Sequence, residues 1–123
     1  MKRILLVEDN EANRDMLSRR LRRGGYDVTT AHDGNAAIGE ALSSPPDVIL
    51  MDLDLPGIDG CEATRRIRAA LGRRRVPVIV VSAHALESDL ARARAAGCDD
   101  FDTKPIDFAR LVAKIERALE GAR

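Results

Sequence analysis

Short apolar runs without charge recur along this chain, and each is followed by a polar cluster. The three strongest runs are Ile4–Val7, Val48–Met51 and Val76–Val81. An apolar run of this length, without polar alternation, is typical of a strand buried on both faces. Two less apolar runs, at 26–31 and 99–103, predict shorter strands at the two edges of the sheet.

Between these strands, apolar residues recur with a period near 3.6, which predicts amphipathic helices. Asp59 and Asp107 are predicted to cap the third and fifth helices, and Asp59 is predicted to form a capping box with Glu62. Five strands alternating with five helices predict an α/β fold with a doubly wound, five-stranded parallel sheet in three layers. The apolar residues that mark the five helices are Ala12, Met16, Leu17 and Leu21; Ala37, Ile38, Ala41 and Leu42; Ala63, Ile67, Ala70 and Leu71; Leu86, Leu90 and Ala93; and Phe108, Leu111, Val112, Ile115 and Leu119.

Composition narrows the class of protein. A length of 123 residues suits one domain, 1–123, and we expect no output domain. The formal net charge is zero and aromatic residues make up 2%, so we expect neither a nucleic-acid nor a membrane partner. Cys61 and Cys98 show neither CxxC nor zinc spacing, which favours free thiols in the cytoplasm. The basic stretch 65–75 and the acids Asp99-Asp100 are predicted to be solvated surface.

Polar side chains follow four of the predicted strands: Glu8-Asp9, Asp52, Ser82 and Lys104. Because the carboxyl ends of parallel strands meet at one edge of a sheet, these side chains should share a pocket. Clustered carboxylates either raise their pKa values or bind a cation, and ligation by oxygen alone suits Mg²⁺. Lys104 adds a positive charge and Ser82 a hydroxyl, which are groups that bind phosphoryl oxygens. The set predicts Mg²⁺-assisted phosphoryl transfer onto a carboxylate.

These residues, with the stretch 52–60 (DLDLPGIDG) and Pro105, resemble the receiver domain of two-component response regulators over essentially the whole chain. The resemblance implies a flavodoxin-like (βα)5 fold and a cis peptide before Pro105. It also implies a stand-alone regulator of the class that includes chemotaxis and cell-division regulators. The opening at 7–13 is more similar to the cell-division type and to receivers of hybrid kinases.

The same resemblance implies a role for each site residue. Asp52 is expected to accept a phosphoryl group, while Ser82 and Lys104 hold the phosphoryl oxygens. The cofactor Mg²⁺ is expected on Asp9, Asp52 and the backbone carbonyl of Asp54, with Glu8 acting through water. Ser82 and Phe101 are expected to form the switch, and Asp54 and His84 lie at the positions that tune the lifetime of the phosphoryl group.

The implied donor is a phosphohistidine on a histidine kinase or a histidine phosphotransfer protein, docked near the first helix and the loop 104–106. A downstream protein target is expected on the face formed by residues 86–119. Such a protein is an enzyme only in catalysing its own phosphoryl transfer and autodephosphorylation. Two alternatives stay open: a phosphatase of the haloacid-dehalogenase type, because Asp52-Leu53-Asp54 resembles its DxD motif, and a pseudo-receiver that only binds partners.

Overall fold

The computed structural model describes residues 1–72, 74–84 and 86–121. The strands are β1 (Arg3–Val7), β2 (Asp27–Ala31), β3 (Val48–Asp52), β4 (Val78–Ser82) and β5 (Asp100–Thr103). The helices are α1 (Glu11–Arg23), α2 (Gly34–Ser43), α3 (Gly60–Leu71), α4 (Glu87–Ala96) and α5 (Phe108–Gly121). Arg73, in the predicted basic stretch, lies outside the described residues. Among the described helices, none combines the length and apolar character needed to cross a bilayer.

The strands form one parallel sheet in the order β2-β1-β3-β4-β5. The prediction that the three most apolar strands are central and the other two lie at the edges is therefore confirmed. Every residue of β3 and of β4 is buried, as a strand covered on both faces requires. One hydrophobic cluster joins the sheet to α2, α3 and α4, and a second joins its other face to α1 and α5. This arrangement confirms the three predicted layers.

Side-chain caps start most helices at the edge of the sheet where the strands end. Asp59 accepts a hydrogen bond from the backbone N–H of Glu62 at 2.9 Å, and Asp107 accepts one from the N–H of Arg110 at 3.1 Å. Both predicted caps are confirmed. The capping box is only half formed, because the Glu62 carboxylate pairs with Arg65 and Arg66 instead of returning to Asp59.

Three of the large apolar residues that mark the predicted helices are exposed. Leu86 is 65% exposed and precedes α4, Met16 is 49% exposed on α1, and Leu42 is 42% exposed on α2. The fourth predicted strand also begins two residues later than expected, at Val78, because Pro77 has no N–H to give to a sheet. Apolar residues often remain at the surface of soluble proteins, so the period of a helix does not decide the burial of each member.

Asp99 and Arg68 join loops that are distant in sequence, so the prediction that both are solvated is wrong. Asp99 accepts hydrogen bonds from the backbone N–H of Val78 at 2.7 Å and from Arg68 Nη2 at 2.5 Å, and it also pairs with Arg75. The Arg68 side chain is 18% exposed and donates to the carbonyl of Gly97 at 3.0 Å. Charge pairing in the fold has therefore neutralised much of the basic stretch.

Both cysteines are free, as the sequence predicts. Burial raises the pKa of the Cys98 thiol to about 11, and the nearby Asp99 adds to the effect. Burial likewise raises the pKa of Cys61. Both thiols are consequently protonated near neutral pH, which makes them packing groups and poor nucleophiles.

Candidate functional site

The ammonium of Lys104 lies between two buried carboxylates. Its Nζ is 3.0 Å from Asp52 Oδ2 and 3.2 Å from Glu8 Oε1. Asp52 is the last residue of β3, Glu8 follows β1, and Lys104 follows β5. Because β1 and β3 are neighbours in register, with Val7 beside Met51, their acids leave the sheet together. The backbone N–H of Lys104 donates to the carbonyl of Ser82 at 2.8 Å, which ties the end of β5 to that of β4.

Three carboxylates form an acidic cluster at this edge: Glu8, Asp9 and Asp52 each offer an oxygen, and these oxygens all lie within 4.8 Å of one another. Glu8 and Asp52 are buried and Asp9 is exposed, so the cluster opens toward solvent on one side. Oxygen donors that leave room for water are the set Mg²⁺ prefers. The donors present therefore fit Mg²⁺.

The environments of Glu8 and Asp52 shift the pKa values of the two carboxyls in opposite directions. Burial raises the pKa of Glu8 to about 7, and hydrogen bonding to Asp52 and its charge add to the rise. Burial also acts to raise the pKa of Asp52, but hydrogen bonds from Glu8, the backbone of Asp54 and Lys104 outweigh it and leave that pKa lowered. Burial acts to lower the pKa of Lys104, but the two carboxylates outweigh this effect and leave that pKa raised. Without metal, Asp52 is therefore ionised at neutral pH, while Glu8 is about half protonated there.

We expect the metal-free protein to lose stability as the pH rises through the pKa of Glu8. The folded pKa of about 7 exceeds the ordinary value of 4.5, so this group stabilises the fold below pH 4.5 and the contribution fades up to about pH 7. Relative to Glu8→Gln, the wild type should lose about 2–3 kcal/mol of unfolding free energy over that window. Urea denaturation in EDTA measures it, with Glu40→Gln, an exposed acid on α2, as control. Parallel pH curves for wild type and Glu8→Gln would contradict this.

Ser82 is fully buried at the end of β4, where its hydroxyl is within hydrogen-bonding distance of two groups. Its Oγ donates to Asp54 Oδ2 at 3.4 Å and accepts from the backbone N–H of His84 at 3.1 Å. The backbone N–H of Asp54 in turn donates to Asp52 Oδ1 at 3.0 Å. Asp54 and His84 are both exposed.

Phe101 is half-buried on β5 and pairs in register with Val80 on β4. It packs against the cluster on the α2, α3 and α4 side, and since Ser82 lies two residues after Val80, both side chains face that same side. A hollow of about 260 Å³ adjoins the ring, lined by residues that include Leu90 and Arg94. The structure thus brings the two predicted switch residues to one face of the sheet.

Gly60 is a site residue that sequence analysis did not single out. It is the first residue of α3 and packs directly on the end of β3. A Cβ at this position would lie 2.3 Å from the carbonyl oxygen of Asp52 and 2.9 Å from the Cα of Leu53. Its place directly after the helix cap Asp59 was the available signal. The Lys104-Pro105 peptide is cis, as the resemblance implied.

The chain matches the model of the response regulator receiver domain over residues 4–116. It is 35% identical over 121 residues to the polar-differentiation response regulator DivK of Brucella ovis, covering 98% of each chain. It is 39% identical over 119 residues to the sensory transduction protein RegX3 of Mycolicibacterium smegmatis. That match covers 97% of this chain and 51% of RegX3, so the chain spans about half the length of that relative.

Solved structures show the same architecture. The receiver domain of the sensor histidine kinase PA1611 from Pseudomonas aeruginosa, with a magnesium ion coordinated in its active-site cleft, is 42% identical with a TM-score of 0.89. That alignment covers 97% of this chain and 98% of the other. The chemotaxis protein CheY4 of Vibrio cholerae is 27% identical with a TM-score of 0.90, covering 96% and 98%. With its five-stranded parallel sheet and acidic cluster, the chain belongs to the response regulator receiver domain family.

Proposed function

We propose that this receiver domain takes a phosphoryl group from a phosphohistidine onto Asp52 and signals through the conformational change that follows. The donor would be a histidine kinase or a histidine phosphotransfer protein. The observation that carries the proposal is a buried Asp52 held 3.0 Å from Lys104 inside a cluster of three acids. The proposed compartment is the cytoplasm, where free thiols such as Cys61 and Cys98 persist.

In the proposed reaction, a carboxylate oxygen of Asp52 attacks phosphorus, the phosphorus–nitrogen bond of the donor breaks, and the donor imidazole leaves. Lys104 balances the charge on the transferred phosphoryl oxygens, and Ser82 can donate a hydrogen bond to one of them. Mg²⁺ on Asp9, Asp52 and the carbonyl of Asp54, with Glu8 through water, would supply further charge neutralisation when bound. Water later hydrolyses the acyl phosphate, so catalysis is confined to the domain's own phosphorylation and dephosphorylation.

The proposed donor surface is the groove between α1 and the loop after β5. This groove has a volume of about 420 Å³ and runs directly up to the acidic cluster. Arg20 stacks over the ring of Phe108 at 4.3 Å, which orders one wall. The other proposed surface, for a downstream protein, is the face of residues 86–119. The groove is lined by Glu8, Asn13, Met16, Leu17, Arg20, Lys104, Pro105 and Ile106.

The experiment that tests the proposal is incubation with Mg²⁺ and a small phosphodonor, acetyl phosphate or phosphoramidate, followed by intact-mass measurement. We expect one added phosphoryl group per chain, absent when EDTA replaces Mg²⁺. An unchanged mass with both donors would favour the pseudo-receiver alternative. Rapid, repeated turnover of an aryl phosphate would instead favour the haloacid-dehalogenase alternative, in which Asp54 acts as the acid and base. Near-zero turnover is expected, because the DxD motif of that class normally follows the first strand, whereas Asp52 ends the third.

For the response, we propose that Ser82 and Phe101 form a two-state switch. A phosphoryl group on Asp52 offers oxygens that attract the Ser82 hydroxyl more strongly than Asp54 does at 3.4 Å. Movement of Ser82 toward them would free space for Phe101, and burial of apolar ring area would favour an inward rotamer. The phosphoryl group biases the two states only through its different contacts with each. Asp54 and His84, both exposed, are proposed to tune the access of water and so the lifetime.

Amide shifts with a beryllofluoride phosphoryl mimic measure this switch. In the wild type we expect large shifts at Phe101 and across residues 86–119. In Ser82→Ala these shifts should collapse although the mimic still binds at Asp52, because the hydroxyl that couples the two sites is gone. Ser43→Ala, an exposed serine at the end of α2, serves as control and should keep the full pattern. The same pattern in Ser82→Ala would show that coupling takes another route.

A further inference from the structure

Arg14 contacts the turn that carries Glu8 and Asp9, and its contacts are to the backbone carbonyls of these acids and not to their carboxylates. It lies in the first turns of α1 and is half-buried. Its Nη1 donates to the carbonyl oxygen of Glu8 at 2.9 Å and to that of Asp9 at 3.4 Å. The neighbouring acid on the helix, Asp15, pairs with Arg19 instead. The guanidinium is therefore directed at backbone, where it bridges two consecutive carbonyls.

These two carbonyls determine the conformation of Asp9. The carbonyl of Glu8 belongs to the planar peptide before the Cα of Asp9, and the carbonyl of Asp9 belongs to the peptide after it. A residue has only two soft backbone dihedrals, which are the rotations of these two planes about its Cα. A donor that holds both planes consequently restricts both φ and ψ of Asp9.

Asp9 needs such a restraint more than its neighbours do. Glu8 and Asp52 are buried and are held by Lys104, whereas Asp9 is exposed, so packing does not confine it. Outer groups that orient a metal ligand remove the cost of ordering it when the metal binds. We infer that Arg14 is a positioning residue, which holds the Asp9 turn in the geometry that binds a divalent cation. This inference rests on the proposed function of the acidic cluster.

The sign of the effect separates positioning from simple electrostatics. Arg14 places a positive charge close to the acidic cluster, so loss of that charge alone would strengthen the binding of a cation. Loss of the backbone restraint would weaken cation binding, because the free energy needed to order Asp9 would then oppose it. We expect positioning to dominate and Arg14→Ala to weaken Mg²⁺ binding about tenfold, the lower end of the usual effect for groups that orient metal ligands.

The test is isothermal titration of the full chain with MgCl₂, together with thermal melts in EDTA. Arg22→Ala is the matched control, because Arg22 lies on the same helix and also donates to a strand carbonyl, that of Val28 at 3.0 Å, away from the acids. Arg14→Lys keeps the charge but can reach fewer carbonyls at once, so it should fall between Arg14→Ala and wild type. The metal-free melting temperatures of Arg14→Ala and Arg22→Ala should agree.

Unchanged or tighter Mg²⁺ binding in Arg14→Ala would overturn the inference, as would an equal loss in Arg22→Ala. Weakening confined to Arg14→Ala, with partial recovery in Arg14→Lys, supports it. A wild type that binds no Mg²⁺ would overturn both this inference and the proposed function. A wild type that binds Mg²⁺ and is phosphorylated normally, beside an Arg14→Ala variant of equal affinity, overturns the inference alone.

Discussion

Asp52→Asn is expected to reduce phosphoryl uptake from one group per chain to none. The amide nitrogen and oxygen of asparagine carry no negative charge, so the side chain cannot form the acyl phosphate. Asp52 is also the carboxylate that the site keeps ionised, through Lys104 at 3.0 Å and the N–H of Asp54 at 3.0 Å. Intact mass after incubation with Mg²⁺ and acetyl phosphate measures the effect.

Asparagine is nearly the same size as aspartate, so the loss should not come from unfolding. The far-UV circular dichroism of Asp52→Asn should match that of the wild type. Asp27→Asn, which replaces an exposed acid at the start of β2, is the matched control and should be phosphorylated normally. Equal labelling of Asp52→Asn and wild type would mean that another residue is the acceptor, and peptide mapping would then locate it.

Gly60→Ala is expected to destabilise the fold by about 2–4 kcal/mol, because the new methyl group would overlap the end of the acceptor strand. The Cβ would lie 2.3 Å from the carbonyl oxygen of Asp52, and the three atoms nearest to it all belong to the backbone, which cannot rotate away. The start of α3 must then move from β3. That movement also displaces Asp52, the proposed phosphoryl acceptor, so the rate of phosphorylation should fall with stability.

Gly39→Ala provides the control for Gly60→Ala within the same fold. Gly39 lies inside α2, and a Cβ there would meet no atom within 4 Å. Alanine should stabilise this helix by about 0.5–1 kcal/mol, because glycine loses more backbone entropy on folding. Urea denaturation of the two variants should give opposite signs. A neutral Gly60→Ala would show that the junction between β3 and α3 adjusts more readily than its close contacts indicate.

Local pattern was sufficient to predict the architecture. Each buried strand has its own uncharged apolar run, and a parallel sheet places the carboxyl ends of its strands at one edge. The division into central and edge strands follows from which runs are most apolar, because edge strands need less covering than central ones. The approach of Asp52, Ser82 and Lys104 was therefore predictable without coordinates. Met16 and Leu42 are exposed on their helices and Leu86 is exposed before α4, and the sequence carried no sign that these three apolar residues would lack a covering neighbour.

The tertiary structure decided what depends on distances between remote segments. Lys104 and Glu8 are 96 positions apart and come within 3.2 Å of each other beside Asp52. Burial and the neighbouring Asp52 raise the pKa of Glu8 against the lowering effect of Lys104, so the proton balance depends on all three groups meeting. The role of Gly60 depends on the close approach of a helix to a strand, and a glycine in a loop-like motif does not reveal that approach. Sequence alone thus determined which chemical groups meet at the edge of the sheet. Packing determined their charges and orientations, because Coulomb energy, hydrogen bonding and steric overlap all change steeply over an ångström.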